Sequence, residues 1–545
     1  MKTNHKIYYP LLSILILFAS CSDMLDKEPY GQFSTAQMDN ESIEGLMTSA
    51  YAGLQGHFFG NNESFSGPVS NWVFDLRSDD AYKGGGGVTM EAYMTQLELG
   101  NVTSDNPIGL NKWRNNFFGI ARVNQTIRTI TELQPENLNE LIGELRLIRG
   151  HFYFDLIRIF EKIPYLDENT DASTAKAGEL SREQIYDKIY DDFKFAYDNI
   201  VPTQSQVGRL NKYAAAAYLC KLSIERKDYS RAITWSDIVI GSTKYELYNN
   251  FLDMSKIEFN NKKEAVFAIQ FSTDNNNAHI NWGNLLNTTY SEGNLFGNGD
   301  DFYIGSQNLV NAFRTDANGL PYLDNFNSVK VESNYTGNLD PRLDFTLERT
   351  GLPFRGNVVT AAWSRDFATY GDHSNKKCMI DPTSSDMVSG FPWGASALNF
   401  NLIRYAEVLL WKAEALIESD GDLEIARGLI NQVRGKAKRS IDKFYTPRDI
   451  DVTKVNYKVE EYPQAGWTKD YARKALRMER RLELAMEGSR WFDLVRWGMA
   501  TNVVNTYYTQ EKGLRTWMES AHLSPDAIYL PVPISEVDNS GGLYE

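Results

Sequence analysis

Two stretches of this chain read as helical hairpins closed by small residues. "KYAAAAYLCKLSIERKDYSRAITWSDIVI" sets Ala214 to Ala217 on a first helix, passes a charged turn, and opens a second helix at Tyr229 and Ala232. "YAEVLLWKAEALIESDGDLEIARGLINQVR" repeats the layout, with Ala413-Glu414-Ala415, a turn at Asp420-Gly421-Asp422, then Ala426, Leu429 and Ile430. Alanine lets paired helix backbones approach closely. A hairpin of this kind cannot bury its apolar face alone, so each implies stacked neighbours of the tetratricopeptide type. The long interval between the two rules out one uninterrupted solenoid. The expected fold is mostly α, a scaffold of helix pairs with an irregular, loop-rich lobe carrying short strands.

Further helices follow from periodicity. "NELIGELRLIRGHFYFDLIRIF" places Leu141, Leu145, Ile148, Phe152 and Leu156 on one face. "SREQIYDKIYDDFKFAYDNI" opens with Ser181 and Gln184 in capping-box spacing and carries the stripe Ile185, Ile189, Phe193, Ala196. "YARKALRMERRLELAMEGSRWFDLVRWG" is expected to be one helix with the continuous face Ala475, Met478, Leu482, Ala485, Ser489 and Phe492. Its pairs Arg480–Glu483 and Glu487–Arg490 have the spacing of ion pairs along a helix, and its charges read as ties to neighbouring helices rather than as chemistry. From about Tyr245 to Phe400 the texture changes to Asn, Gly, Asp and aromatic residues. There "EAVFAIQF" reads as a strand, and "DNNNAHINWGNLLNTTYSEGNLFGNGDD" as loop. Long irregular loops in a folded protein usually carry function. A second loop region, 57–87, ends in Gly84 to Gly87. It lacks the pattern of a phosphate loop and reads as a mobile turn.

The N-terminus fixes where such a protein works. Lys2 and Lys6 precede an apolar run from Leu11 to Ala19, too short to span a membrane and laid out as a secretory signal. The run ends at Ala19-Ser20-Cys21, with Leu17 four residues before the cysteine, an arrangement that resembles a bacterial lipobox with Cys21 lipidated. Several acyl chains on one residue make a stable anchor. The expected organisation is a signal peptide over 1–20, a lipidated tether over 21–40, a helical region over 41–244 containing the loop 57–87, an irregular lobe over 245–400, and a helical region over 401–545.

Composition and motifs narrow the functional classes. The net charge of −15 and the lack of any basic stripe argue against nucleic-acid binding. Six histidines, at 5, 57, 151, 279, 373 and 522, are scattered, with no HExxH zinc helix and no GxSxG elbow. The acidic turn Gly299-Asp300-Asp301 lacks the ligand spacing of a calcium loop, so neither metal nor cofactor is expected. Cys220 lies in the alanine-rich run and reads as core; Cys220 and Cys378 read as separate thiols.

Taken in order, several motifs resemble the SusD/RagB family, the outer-membrane nutrient-binding lipoproteins of Bacteroidota. They are "CSDMLDKEP" (21–29), "DLRSDDAYKGG" (75–85), "WRNNFFGIARVNQTI" (113–127), "RLIRGHFYFDLIRIFEKIPY" (146–165), "LIRYAEVLLWKAEAL" from Leu402, "ERRLELAMEGSRWFDLVRWG" from Glu479, and the closing "IYLPVPISEVDNSGG". The last departs from the family pattern at Ser540, where Pro is usual. The resemblance implies a fold with four tetratricopeptide-type helix pairs and a glycan site in the irregular lobe. It also implies a surface role as partner of a SusC-like TonB-dependent transporter, without a reaction. Acidic residues after Cys21 resemble the surface-export signal of such lipoproteins.

A sugar offers a flat C–H face and a rim of hydroxyls, which call for an aromatic face beside planar polar groups. The candidates are Trp72, Asp80 and Tyr82 in the first loop, Trp282 and Tyr290 in the second, and Trp363, Arg365 and Tyr370 in "AAWSRDFATYGDH". Asp80, within "SDD", also has a purely structural reading. Two further functions stay open at this point: an oligopeptide binder of the RagB kind, and a surface glycoside hydrolase whose carboxylate pair the sequence does not single out.

Overall fold

The computed structural model describes residue 38 and residues 40–56, 67–274, 279–284, 286–290 and 296–545. The signal peptide, Cys21 and most of the tether lie outside the described residues. Helix α1 (Asn40–Ala52) comes first, followed by a tight 3₁₀ segment (Pro68–Arg77) and strand β1 (Ala81–Gly84). Helices α2 (Ala92–Leu99), α3 (Pro107–Leu133), α4 (Leu138–Ile159), α5 (Arg182–Asn199), α6 (Lys212–Glu225) and α7 (Tyr229–Gly241) follow. Their starts are written in the sequence. Asn106, Asn211 and Asp228 cap α3, α6 and α7, and the Ser181–Gln184 capping box forms on α5 as predicted.

The lobe then supplies β2 (Ala265–Ile269), β3 (Phe302–Gly305), α8 (Gln307–Ala312), α9 (Arg342–Thr346), the hairpin β4 (Pro353–Phe354) and β5 (Asn357–Val358), and α10 (Phe367–Tyr370). The chain returns through β6 (Phe400–Arg404) to α11 (Tyr405–Glu418), α12 (Leu423–Asp442), α13 (Lys469–Glu483), α14 (Arg490–Arg496), α15 (Ala500–Lys512) and α16 (Ile534–Asn539).

Each helix from α3 to α7 packs against the next; α7 packs against α11, and α11 against α12. The two alanine-rich hairpins are thus neighbours in space, and the lobe is an excursion from one continuous helical array. Ala214 to Ala217, Ala413 and Ala415 are fully buried at these contacts, where a larger side chain would force the helices apart. Two seams fasten the lobe. Strand β2 pairs antiparallel with β6, which runs directly into α11; β1 pairs antiparallel with β3, with Tyr82 opposite Ile304. One hydrophobic core runs from Ile43 to Val532 through all three regions, and small satellite clusters sit inside the lobe.

The late charged stretch departs from its expected form. It is not one helix: α13 ends at Glu483, the chain turns through residues 484–489, and α14 restarts at Arg490. The break comes at Met486 and Gly488, both in the left-handed region at φ 60° and 75°. A Cβ on Gly488 would sit 2.7 Å from the Asn71 carbonyl carbon, so only glycine fits. The turn lets the Gly488 N–H donate to Asp75, 3.0 Å away.

The expected pairs along the helix do not form. Arg480 pairs with Asp493, and Arg490 with Asp79. Glu483 meets Arg342, Arg404 and Lys436, while Glu487 meets Lys377 and Arg404. Charge in this stretch therefore ties helices and lobe together, as its structural reading anticipated. The cost of burying each ion is offset by several partners at once.

Candidate ligand-binding site

Region 57–87 is, in its described part, not one long loop: it holds the 3₁₀ segment and β1, with short turns at 78–80 and 85–87. Trp72 lies in the buried 3₁₀ segment, its ring 5.0 Å from Tyr303. Asp80 is buried and ion-paired with Arg481 at 2.6 Å, which is its structural reading. Tyr82, in β1, is 0% exposed; its hydroxyl donates to Glu511 at 3.0 Å and accepts from the Gln307 N–H. Tyr370 is buried against Tyr82 and Trp517. Trp363 is buried in the satellite cluster with Phe296, Phe354, Val359 and Met379. Four rings this deeply buried have little face to offer a ligand and Asp80 is held by Arg481, so these five are corrected to fold-building residues. For the four rings the reason is that aromatic side chains in a helix-rich fold are the largest apolar volumes available to fill it, whereas Asp80 is taken up by its arginine.

The glycine run is pinned. Gly84 and Gly85 adopt φ 77° and 75°, and a Cβ on Gly85 would lie 2.6 Å from the Phe302 ring. These residues are glycine because β3 passes this close, with the Gly85 N–H donating to Asp301 O at 2.8 Å. Lys83 folds back to donate to the carbonyls of Gly87 at 2.8 Å and Met90 at 2.5 Å. Burial pushes its amine down to about 8 against the pull of Glu98.

The other three candidates lie on the lobe surface. Tyr290 is 39% exposed, and its backbone N–H donates to Trp363 O at 2.9 Å. Arg365 lies with its guanidinium carbon 5.1 Å from the Tyr290 ring centroid and forms an ion pair with Asp300. Its backbone N–H donates to Asp301 at 2.8 Å. Asp301 is fully buried and also accepts from the Ser374 hydroxyl at 2.6 Å; burial pushes its carboxyl up to about 7. Gly86 lies against Arg365, and Phe367, 48% exposed, follows it by two residues. Thus Tyr290, Arg365 and Asp300 form one patch, a part-exposed aromatic ring with a planar cation over one face and a carboxylate beside the cation. Asp301 fixes it from below and the pinned glycine turn flanks it. The turn Gly299-Asp300-Asp301, weighed above as a metal loop, spends its carboxylates on Arg365 and Ser374.

Trp282 is half-buried on a second small cluster with Ile280, Val388 and Ala395. Two residues missed from sequence lie on this side of the lobe. Phe391 is 71% exposed, and Trp393 packs its indole against Gly297 and Gly390. The Thr288 hydroxyl donates to Trp393 O at 2.9 Å, which ties the Trp393 segment to the chain two residues before Tyr290. The signal for them was "GFPWG", two rings flanking a proline between glycines, a turn composition that keeps rings near the surface. Cys220 is buried as expected, and Cys220 and Cys378 are free thiols.

Comparisons with known proteins agree with this architecture. Residues 263–545 match the model of the SusD family, and residues 23–224 match one described as starch-binding and associating with the outer membrane. A SusD-like protein of Bacteroides ovatus is 24% identical over 92% of this chain and 84% of its own length. One from Formosa agariphila is 24% identical over 92% of each chain. A solved SusD superfamily protein from Bacteroides vulgatus superposes with a TM-score of 0.71 at 20% identity, covering 93% of this chain and 98% of its own. Surface glycan-binding protein A from Bacteroides thetaiotaomicron, solved with laminarihexaose, gives 0.67 at 19% identity over 93% and 99%.

Proposed function

The chain belongs to the SusD family, and on that premise we propose that it is a cell-surface glycan-binding lipoprotein. It captures oligo- or polysaccharide in the lobe and delivers it to a SusC-like TonB-dependent transporter, while Cys21 carries the lipid anchor. The role is binding, without a reaction on the glycan.

The observation that carries this reading is the exposed Tyr290 ring beside the Arg365–Asp300 pair. The ring suits the C–H face of a sugar. The guanidinium and carboxylate suit adjacent hydroxyls, one by donating and the other by accepting, and both are held before the ligand arrives. The solved relative holding laminarihexaose supports the same class of ligand.

The test is native electrophoresis of the purified chain through gels containing laminarin, starch or other polysaccharides, with reducing ends assayed in parallel. Retardation without released reducing sugar is expected. Release of sugar, or binding to peptides with no retardation by any glycan, would overturn the proposal.

A further inference from the structure

A cavity of about 440 Å³ lies away from the lobe patch, between α13, the α14–α15 segment and the loop around Asp324 to Asn327. That volume suits a small ligand. Its charged lining is Lys474, Arg477, Arg481 and Arg490 against Asp79 and Asp324, a cationic surplus in a chain whose net charge is −15. The two carboxylates are already spent. Asp79 holds Arg490 at 2.9 Å and Arg481 at 3.1 Å, and Asp324 holds Lys474 at 2.6 Å.

Arg477 is left over. Among the described residues no carboxylate lies within ion-pair distance of it, and its hydrogen bond goes from Nη1 to the Met499 thioether at 3.0 Å, a weak acceptor. Glu418 and Glu414 act on it only from farther away, and each is engaged with another arginine, Arg473 and Arg496. The guanidinium is nonetheless held in place. Its carbon lies 5.1 Å from the Trp497 ring centroid, and that indole is fixed by donating to Glu414 at 2.9 Å. The guanidinium is thus positioned and partly desolvated by a ring and a sulfur atom, with no carboxylate of its own.

The rest of the lining is mixed. Phe326, Leu323, Met478 and Leu494 are apolar. Asn308 accepts from Arg481 through Oδ1 at 2.8 Å, leaving its Nδ2 without a hydrogen bond among the described residues. Asn327 donates to Gln510 at 2.8 Å, linking the loop to α15.

We propose that this cavity binds a small carboxylate-bearing ligand, the carboxylate pairing with Arg477 and the body lying against Phe326 and Met478. The site is separate from the lobe patch and does not depend on the function proposed for it.

The test is calorimetric titration of the full chain at low ionic strength with glucuronate, N-acetylglycine and, as neutral control, glucose. Binding of at least one of the two acids is expected, and which one binds separates a sugar acid from a peptide carboxylate. The same acid should bind about tenfold or more weaker to Arg477→Met, in keeping with the loss of a charge-assisted contact. It should bind unchanged to Tyr290→Ala. Because Arg477 makes no ion pair in the fold, the variant should keep its melting temperature. The proposal is overturned if neither acid binds better than glucose, if Arg477→Met binds as well as the parent, or if Tyr290→Ala abolishes the signal. The first of these outcomes requires no variant.

Discussion

At the scale of single residues, burial separates rings that look alike in sequence. Tyr290→Ala is expected to weaken glycan binding about tenfold, the order of one aromatic contact, and to leave the melting temperature within about a degree. Tyr82→Ala should instead cost about 3–5 kcal/mol of stability, read as a lowered denaturant midpoint, because its ring is closed in by Tyr370, Trp517 and Arg515. Both residues are tyrosines in glycine-rich surroundings. What distinguishes them is a strand pairing, β1 with β3, between segments more than two hundred residues apart, which no local pattern reveals. Asp301 makes a second prediction. Its carboxyl is raised from the ordinary carboxylate range to about 7, so the folded state holds a proton that the unfolded chain gives up earlier. The associated stability is present below about pH 4 and is lost as pH rises through about 7. Asp301→Asn should match the parent in melting temperature at pH 4 and exceed it at pH 8. A variant no better than the parent at pH 8 would show that Asp301 ionises there without penalty.

Secondary-structure elements were the most legible level. Caps, stripes and alanine hairpins are local signals, and α4 to α7, α11 and α12 lie where the sequence put them. The stretch from Tyr471 to Gly498 was misread for a physical reason: a helical stripe says which residues face inward, not whether the backbone can stop and restart between them. Met486 and Gly488 make that break, and it delivers Glu483 and Glu487 to arginines and lysines of the lobe and of α12. Glu483 is the centre of this junction, bonded to Arg404 at 2.9 Å and to Lys436 at 2.7 Å. Glu483→Gln should destabilise the protein by about 1–3 kcal/mol: it removes a charge shared by three buried cations, while Arg404 keeps Glu264 and Glu487, Lys436 keeps Glu264, and Arg342 keeps Asp340 and Glu479. Chemical denaturation checks this, and a change below about 1 kcal/mol would mean that the network is dispensable.

At the scale of the whole molecule, a continuous helical array carries an excursion whose outer surface offers Tyr290 and Arg365, and a lipid on Cys21 is proposed to hold it at the membrane. Replacing Cys21 with alanine should move the protein from the membrane fraction to the soluble fraction of cells; retention in the membrane would remove the lipid anchor from the account. The order of motifs made the fold legible from sequence, but the binding patch was only half so. Tyr290 and Arg365 were among the candidates, whereas Phe391 and Trp393 were not, because the placement of that turn depends on its contacts with Thr288 and Gly297, about a hundred residues earlier in the chain. The central claim is that the lobe patch binds glycan. The most direct measurement is the affinity of the full chain for a glycan that retards it, compared with Tyr290→Ala and Arg365→Ala of unchanged melting temperature. The account predicts that each variant binds about tenfold weaker and that the pair together loses retention; parental affinity in both variants would place the glycan elsewhere and contradict it.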